Sequence, residues 1–364
     1  MTTVWRIPVP RQPFGSPPRP PTDTIFPMPF LKMIKLPASL LLLLCFAGCQ
    51  SAPRHESLHR YEFNQPHMGT LFTITLFAPD ESTAREAADA AFEKVAALDR
   101  MMSDYDPDSE LMQFCGKPSG GPVRLSEELF DVLQRSQQVS ELSDGAFDVT
   151  IGPLIRQWRR ARRTETLPTF EQINRARESV GWRNLKLDSK NKTAMLAVQN
   201  MQLDLGGIAK GYAADKALEI LRRRGISRAL VAASGDIAIG DPPPGRRGWR
   251  VGVGSPASKL QANPAGSPTM EPIKETITLA NTAISTSGDE QQFVTIDGIR
   301  YSHILDPRTG IGLTNHFQVS VIADRAIDTD AFATTLCVLG KDRGLKLIKS
   351  QRGMKAIFQT GEPR

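Results

Sequence analysis

The run LDLGGIAKGYAAD, residues 203–215, forces a change of backbone period within one short segment. Leu203 and Leu205 alternate with Asp204, which is the period of a strand. Gly206-Gly207 interrupts it. Ile208, Tyr212, Leu218 and Leu221 then recur at helical spacing. A glycine pair at a strand-to-helix junction lets backbone approach a ligand closely, and a helix start offers N–H groups to an anion. Asp204 and Lys210 flank the junction. The same residues also fit a tight structural turn beside a solvated lysine. No Gly-Lys-Ser/Thr closes the segment and no G-x-G-x-x-G precedes it, so neither familiar nucleotide loop applies.

The N-terminal region points to a compartment. Met33-Ile34-Lys35 is short and basic, and 36–47 is mostly apolar with five leucines in a row, Leu40 to Leu44. Such a stretch suits the core of a signal peptide and is too short to span a bilayer. Phe46-Ala47-Gly48-Cys49 resembles a bacterial lipobox, which implies cleavage before Cys49 and lipidation of its thiol. Gln50 in the next position leans towards outer-membrane sorting. Residues 1–32 are Pro-rich and aperiodic, and read as an upstream extension or a disordered leader. The expected order is therefore leader 1–32, signal peptide 33–48, tether 49–60 and one functional region 61–364.

This order changes how the charge is read. Residues 1–48 carry five basic residues and one acidic, so their removal takes the net charge from +6 to +2. The basic pI of about 9.2 is then no argument for nucleic acid. Arg156, Arg159, Arg160, Arg162 and Arg163 cluster, as a solvated face, a loop or an interaction surface would. Beyond the signal segment and Cys49, only Cys115 and Cys337 remain. One disulfide is compatible with an oxidising compartment, and no Cys/His spacing suggests zinc.

Periodicity predicts strands at 72–76, 229–231, 249–253, 276–279, 283–285, 292–296 and 318–322. Helices are predicted at 81–101, at 127–142 and from Asp330 onward. Residues 185–188 and 194–205 read as a hairpin leading into the glycine junction, and 255–274 as a surface loop. Strands mixed with helices and hairpins argue an α+β or mixed α/β fold.

Three further segments could carry chemistry. Tyr105 to Leu111 is an acidic turn. Ser143 to Thr150 is a loop with two carboxylates. The third is Ser302 to Gly310, which contains His303, with Asp330-Ala331-Phe332-Ala333-Thr334 downstream. Asp330 and Thr334 share a helix face, where Asp330 could cap the helix or, with the Thr334 hydroxyl, offer oxygen donors to Mg²⁺.

Together these segments resemble one family, the ApbE-type flavin transferases (FAD:protein FMN transferases). The matching segments are Met68-Gly69-Thr70, 101–111, 143–154, 203–217, Ser234-Gly235-Asp236, 285–289, 302–310 and 329–340, in register from about 61 to 364. The resemblance implies a T-fold-like mixed α/β core with a second, smaller lobe. It places Met68, Tyr105, Ala146, Phe147, Asp148, Asp204, Lys210 and the backbone near Leu305 at FAD-contacting positions. It makes Asp330, Thr334 and the Gly207 carbonyl metal ligands, for Mg²⁺ or alternatively Mn²⁺, and His303 a catalytic residue. The implied reaction moves FMN from FAD, the substrate, to a Thr or Ser hydroxyl of an acceptor flavoprotein, expected to be a membrane redox-complex subunit. Hydrolysis of FAD to FMN and AMP, or a non-catalytic flavin-binding lipoprotein, are the competing readings. The expected location is the periplasmic side of a bacterial membrane, by lipid anchor. One departure stands out: after Ser287-Gly288-Asp289 the chain continues Glu290-Gln291-Gln292-Phe293, without the arginine that the family often carries there.

Overall fold

Stretches of alternating apolar residues build the central sheet. The computed structural model describes residues 57–253, 261–262, 268–269, 275–288, 292–315 and 317–360, all within one unit, Glu56–Arg364. The leader, the signal segment, Cys49, most of the tether, most of 255–274 and residues 289–291 lie outside the described residues.

Seven strands form the sheet: β1 (His59–His67), β2 (Thr70–Ala78), β3 (Ala229–Ala233), β4 (Asp236–Ile239), β5 (Thr282–Gly288), β6 (Phe317–Ala323) and β7 (Lys355–Thr360). They lie side by side in chain order, each antiparallel to the next. β1 begins at His59, inside the expected tether, because His59 pairs with Ala78.

The sheet buries both faces, and the period of two sorts the side chains between them. Phe72, Ile74, Leu76, Val231, Ala238, Ala283 and Val321 enter the main core with the helices. Their neighbours Phe77, Leu230, Ile237, Ile239, Ile284 and Ile322 face a second cluster with Trp249 and Val251. That cluster is covered by a hairpin of Trp249–Val253 and Glu275–Leu279.

The helices sit in insertions between strands. α1 (Glu81–Met102) starts where the Asp80 side chain accepts the Thr83 N–H at 2.8 Å, and its alanine-rich face is buried. α2 (Glu127–Leu142) is capped in the same way by Ser126. α3 (Gly152–Thr164) carries Pro153 in its first turn and the arginine cluster along its length. α4 (Ala209–Arg223) packs between α1 and α5 (Ala326–Lys349). Among the described residues no helix is long and apolar enough to cross a membrane.

A third cluster forms the smaller core. Leu154, Trp158 and Ala161 of α3 pack with Ile173, Ala176, Tyr301 and Leu305, and with Val294 and Ile296 of the hairpin Phe293–Ile296/Ile299–Ser302. The fold is thus mixed α/β, with a large antiparallel sheet, helices and a smaller second core.

The structure departs from the periodicity reading in two places. The hairpin arm expected at 194–205 ends at Leu196. Residues 203–205 are buried but form no ladder; Asp204 instead donates its N–H to the Val149 carbonyl at 2.8 Å. No disulfide joins Cys115 to Cys337. Finally, α5 starts at Ala326 rather than Asp330, so Asp330 lies past the first turn and does not cap it. The cap comes from another helix: Asp215 of α4 accepts the N–H groups of Ala326 at 2.8 Å and Ile327 at 3.0 Å.

Burial raises the Asp215 carboxyl from 3.8 to about 6, against the lowering pull of those two amides. Across that window the folded chain keeps a proton that the unfolded chain has lost, so this group's contribution to stability falls as pH rises. Asp215→Asn is expected to flatten the decline in unfolding free energy between those values. Asp215→Ala is expected to cost about 1–2 kcal/mol at neutral pH through loss of the cap. Urea titrations across pH measure both.

Candidate active site

The glycine junction meets α5 at very short range. Neither Gly206 nor Gly207 has a positive φ, so neither is needed for a left-handed turn. Gly207 is needed for proximity: a Cβ there would stand 3.2 Å from Thr334 Oγ1 and 3.4 Å from Phe147 Cε2. Gly211 is tighter still, since its Cβ would fall 2.1 Å from the Ala326 carbonyl oxygen and 2.8 Å from Asp330 Cβ. The backbones of α4 and α5 therefore touch at this crossing. There the Gly211 N–H, in the first turn of α4, donates to Asp330 Oδ2 at 3.0 Å. The helix start does receive an anion, and the anion is a carboxylate of the same chain.

Lys210 is not a solvated lysine. Its ammonium lies 2.9 Å from Asp236 Oδ2, 3.5 Å from Asp330 Oδ2 and 3.0 Å from the Gly206 carbonyl. Burial disfavours the Lys210 charge, but Asp236 and Asp330 outweigh it and raise its proton affinity. Asp330 is pushed up by burial and by Asp236, with Lys210 pulling the other way. One cation faces two nearly inaccessible carboxylates.

A second cluster of the same composition lies at the other end of the segment. Arg159 of α3 donates from Nη1 to Asp104 at 2.5 Å and from Nη2 to Asp204 at 3.0 Å. Its guanidinium also lies over the Tyr105 ring, 4.2 Å from the centroid, and that ring is 75% exposed. Burial opposes the Arg159 charge, and the two carboxylates more than restore it. Asp204 in turn is raised by burial and by Asp104, and lowered by the Gly206 amide, Arg159 and Lys210.

The remaining expected residues are held by other contacts. Ala146 and Phe147 are buried, and Phe147 packs against Gly207. Asp148 is engaged from two sides: Oδ1 accepts from the Thr150 amide and hydroxyl in its own loop, and Oδ2 from the distant Trp182 amide at 2.9 Å. Met68 has a positive φ of 49° in the β1–β2 turn, and its N–H is held by Asp99 at 2.8 Å. That turn lies at the same sheet end as the Ser234-Gly235 turn, as the pairings Phe72–Ala233 and Ala233–Asp236 require. Leu305 is buried in the smaller core and its strand pairs with Gly312. His303 Nδ1 lies 3.0 Å from the Gln292 carbonyl oxygen. A carbonyl only accepts, so Nδ1 carries a proton.

Sequence reasoning missed the partners rather than the positions. Asp236, Arg159 and Asp104 complete the two clusters. Asp236 lies in a segment that the family resemblance picks out, and Arg159 in the basic cluster whose residues suit a face, a loop or an interaction surface. Helical spacing was the available signal for Arg159: Trp158 and Ala161 turn inward around it.

Comparison with known proteins decides the family. The ApbE family model matches residues 68–358. The chain belongs to the ApbE family. An Escherichia coli (strain K12) relative named FAD:protein FMN transferase is 28% identical over 333 residues, covering 89% of this chain and 92% of the relative. A Vibrio cholerae relative of the same name is 31% identical over 322 residues, covering 86% and 90%. The solved Flavin Transferase ApbE from Vibrio cholerae superposes with a TM-score of 0.70 at 28% identity, over 84% of this chain and 94% of that one. The ApbE protein from Thermotoga maritima gives 0.71 at 29%, over 84% and 97%.

The pocket around Asp330 has donors that fit a hard cation. Asp330 commits Oδ2 to Gly211 and Lys210, while Oδ1 takes no hydrogen bond among the described residues. Thr334 Oγ1 has a long contact of 3.4 Å to Ser287 Oγ, and the Gly207 backbone lies beside that hydroxyl. Among the described residues no three His, Cys, Asp or Glu side chains group to hold a metal. The Asp330 carboxylate and the Thr334 hydroxyl are hard oxygen donors, and a Gly207 carbonyl would add a third of the same kind. An open hollow of about 530 Å³ shares Asp148 but none of Gly207, Lys210, Asp330 or Thr334, so it is distinct from this donor set.

Removing the Lys210 charge should expose the cost of the buried carboxylates. Lys210→Met is expected to lower stability by about 3 kcal/mol, because two buried acids lose their counter-charge. Adding Asp236→Asn should return part of that loss. Guanidinium unfolding of the single and double variants measures both.

Proposed function

We propose that this chain is a transferase that moves the FMN moiety of FAD to a Thr or Ser hydroxyl of an acceptor protein, with release of AMP. The observation that carries the reading is the near full-length match to relatives named FAD:protein FMN transferase. The site chemistry agrees with it. Asp330, Thr334 and the Gly207 carbonyl would hold Mg²⁺ or Mn²⁺. When bound, the ion would offset the charge of the pyrophosphate.

The chain's own residues supply the rest. Lys210 keeps its positive charge between Asp236 and Asp330 and holds those carboxylates in register. Asp204 and Tyr105 offer a hydrogen-bond acceptor and an exposed ring for the flavin nucleotide. The acceptor hydroxyl oxygen forms a bond to the FMN-side phosphorus as the bond from that phosphorus to the AMP oxygen breaks. His303 Nε2 takes the hydroxyl proton, because Nδ1–H is turned to the Gln292 carbonyl. The product is FMN joined to the acceptor as a phosphoester.

The finer attributes belong to the same proposal. The lipobox-like Phe46 to Cys49 supports a lipid anchor on the periplasmic side of a bacterial membrane. An acceptor in a membrane redox complex would share that surface.

Incubation with FAD, Mg²⁺ and a flavoprotein acceptor domain tests the reading by intact-protein mass. The expected result is one FMN added at one Thr or Ser, with an equal amount of AMP. Asp330→Ala should slow transfer by on the order of 100-fold, equivalent to about 3 kcal/mol of transition-state stabilisation. AMP without labelled acceptor would instead identify a hydrolase, and intact FAD a binding protein.

A further inference from the structure

The structure assigns Arg159 a role that no expected site residue covers: it is a positioning residue that sets Asp204 and Tyr105 for FAD. The inference rests on the transferase reading for the identity of the ligand. Three contacts carry it, and they come from separate parts of the chain. Asp104 and Tyr105 belong to the turn after α1, Asp204 to the segment before α4, and Arg159 to α3. Only the guanidinium joins the turn to the segment among these contacts. Arginine suits this task because its flat fork can bind two carboxylates while one face stacks on a ring. A lysine ammonium cannot do all three.

Arg159 acts through its neighbours. Both terminal nitrogens are engaged by carboxylates and one face by the ring, so it is not directed at a phosphate. Its own position is set from behind. The adjacent Trp158 lies in the smaller core and donates its indole N–H to the Gly310 carbonyl at 2.8 Å. α3 thereby ties the 302–310 loop, which carries His303, to the residues around Asp204. Without Arg159, the mostly buried carboxyl groups of Asp104 and Asp204 would lose the cation between them, and Tyr105 would lose its stacking partner.

FAD binding by the full chain, measured by flavin fluorescence, tests this without depending on turnover. Arg159→Met is expected to weaken FAD binding about tenfold, with transfer at saturating FAD within about twofold of wild type. Arg159→Lys should recover only a small part. Adding Asp104→Asn to Arg159→Met should restore affinity to within about threefold, because it removes the unmasked repulsion. If Arg159→Met does not fold, Arg159→Lys carries the test, with weaker FAD binding at unchanged saturating rate. Unchanged affinity in the variants, or no rescue by Asp104→Asn, overturns the role. A wild-type protein that binds FAD but transfers nothing would overturn the transferase reading and leave this one standing.

Discussion

The site depends on a single close crossing of two helices. α4 and α5 meet at Gly211, where no side chain would fit between the α4 backbone and the Ala326 carbonyl. That contact lets the Asp330 carboxylate reach the Gly211 N–H across the interface. It also brings Thr334, one turn further along α5, against Gly207. A wider crossing would separate all three proposed oxygen donors. Asp215, one turn beyond Gly211 on α4, ties the start of α5 from the same side. One helix thus positions the other twice, once at a backbone crossing and once at a cap.

Charge balance follows a common pattern at both ends of the segment 203–211. Lys210 lies between Asp236 and Asp330, and Arg159 between Asp104 and Asp204. Each cluster has one cation for two carboxylates. In each, the cation reduces the cost of burying the acids. The difference between the two clusters is access. Asp236 and Asp330 are almost fully enclosed, whereas the Arg159 cluster opens onto the exposed Tyr105 ring. This fits a metal donor set at one end and a platform for an aromatic ligand at the other.

Much of the fold was legible because it rests on local patterns. α2 occupies 127–142 as periodicity predicts, and α1 differs by one residue at its end. The strands around 72–76, 229–231, 249–253 and 318–322 are present, each with its alternating side chains on opposite faces of a sheet. The errors arise where a distant residue supplies the partner. The segment 203–205 has a strand's alternation but no neighbouring ladder, since Val149 takes the Asp204 amide. α5 begins earlier than its own residues suggest, since its cap is Asp215.

Residue order alone carries the periods of the strands and helices, the family resemblance and the residues whose chemistry suits a flavin nucleotide and a hard cation. These follow from residue type and short-range spacing, which one strand or helix is enough to express. The assembled fold settles that Lys210 is paired, that Asp148 is held by the Trp182 amide as well as by Thr150, that Gly207 and Gly211 serve close approach, and that Arg159 joins Asp204 to Tyr105. Those outcomes depend on contacts between residues far apart in the chain. Spacing along one element carries no information about which charge or backbone from another element will arrive beside it.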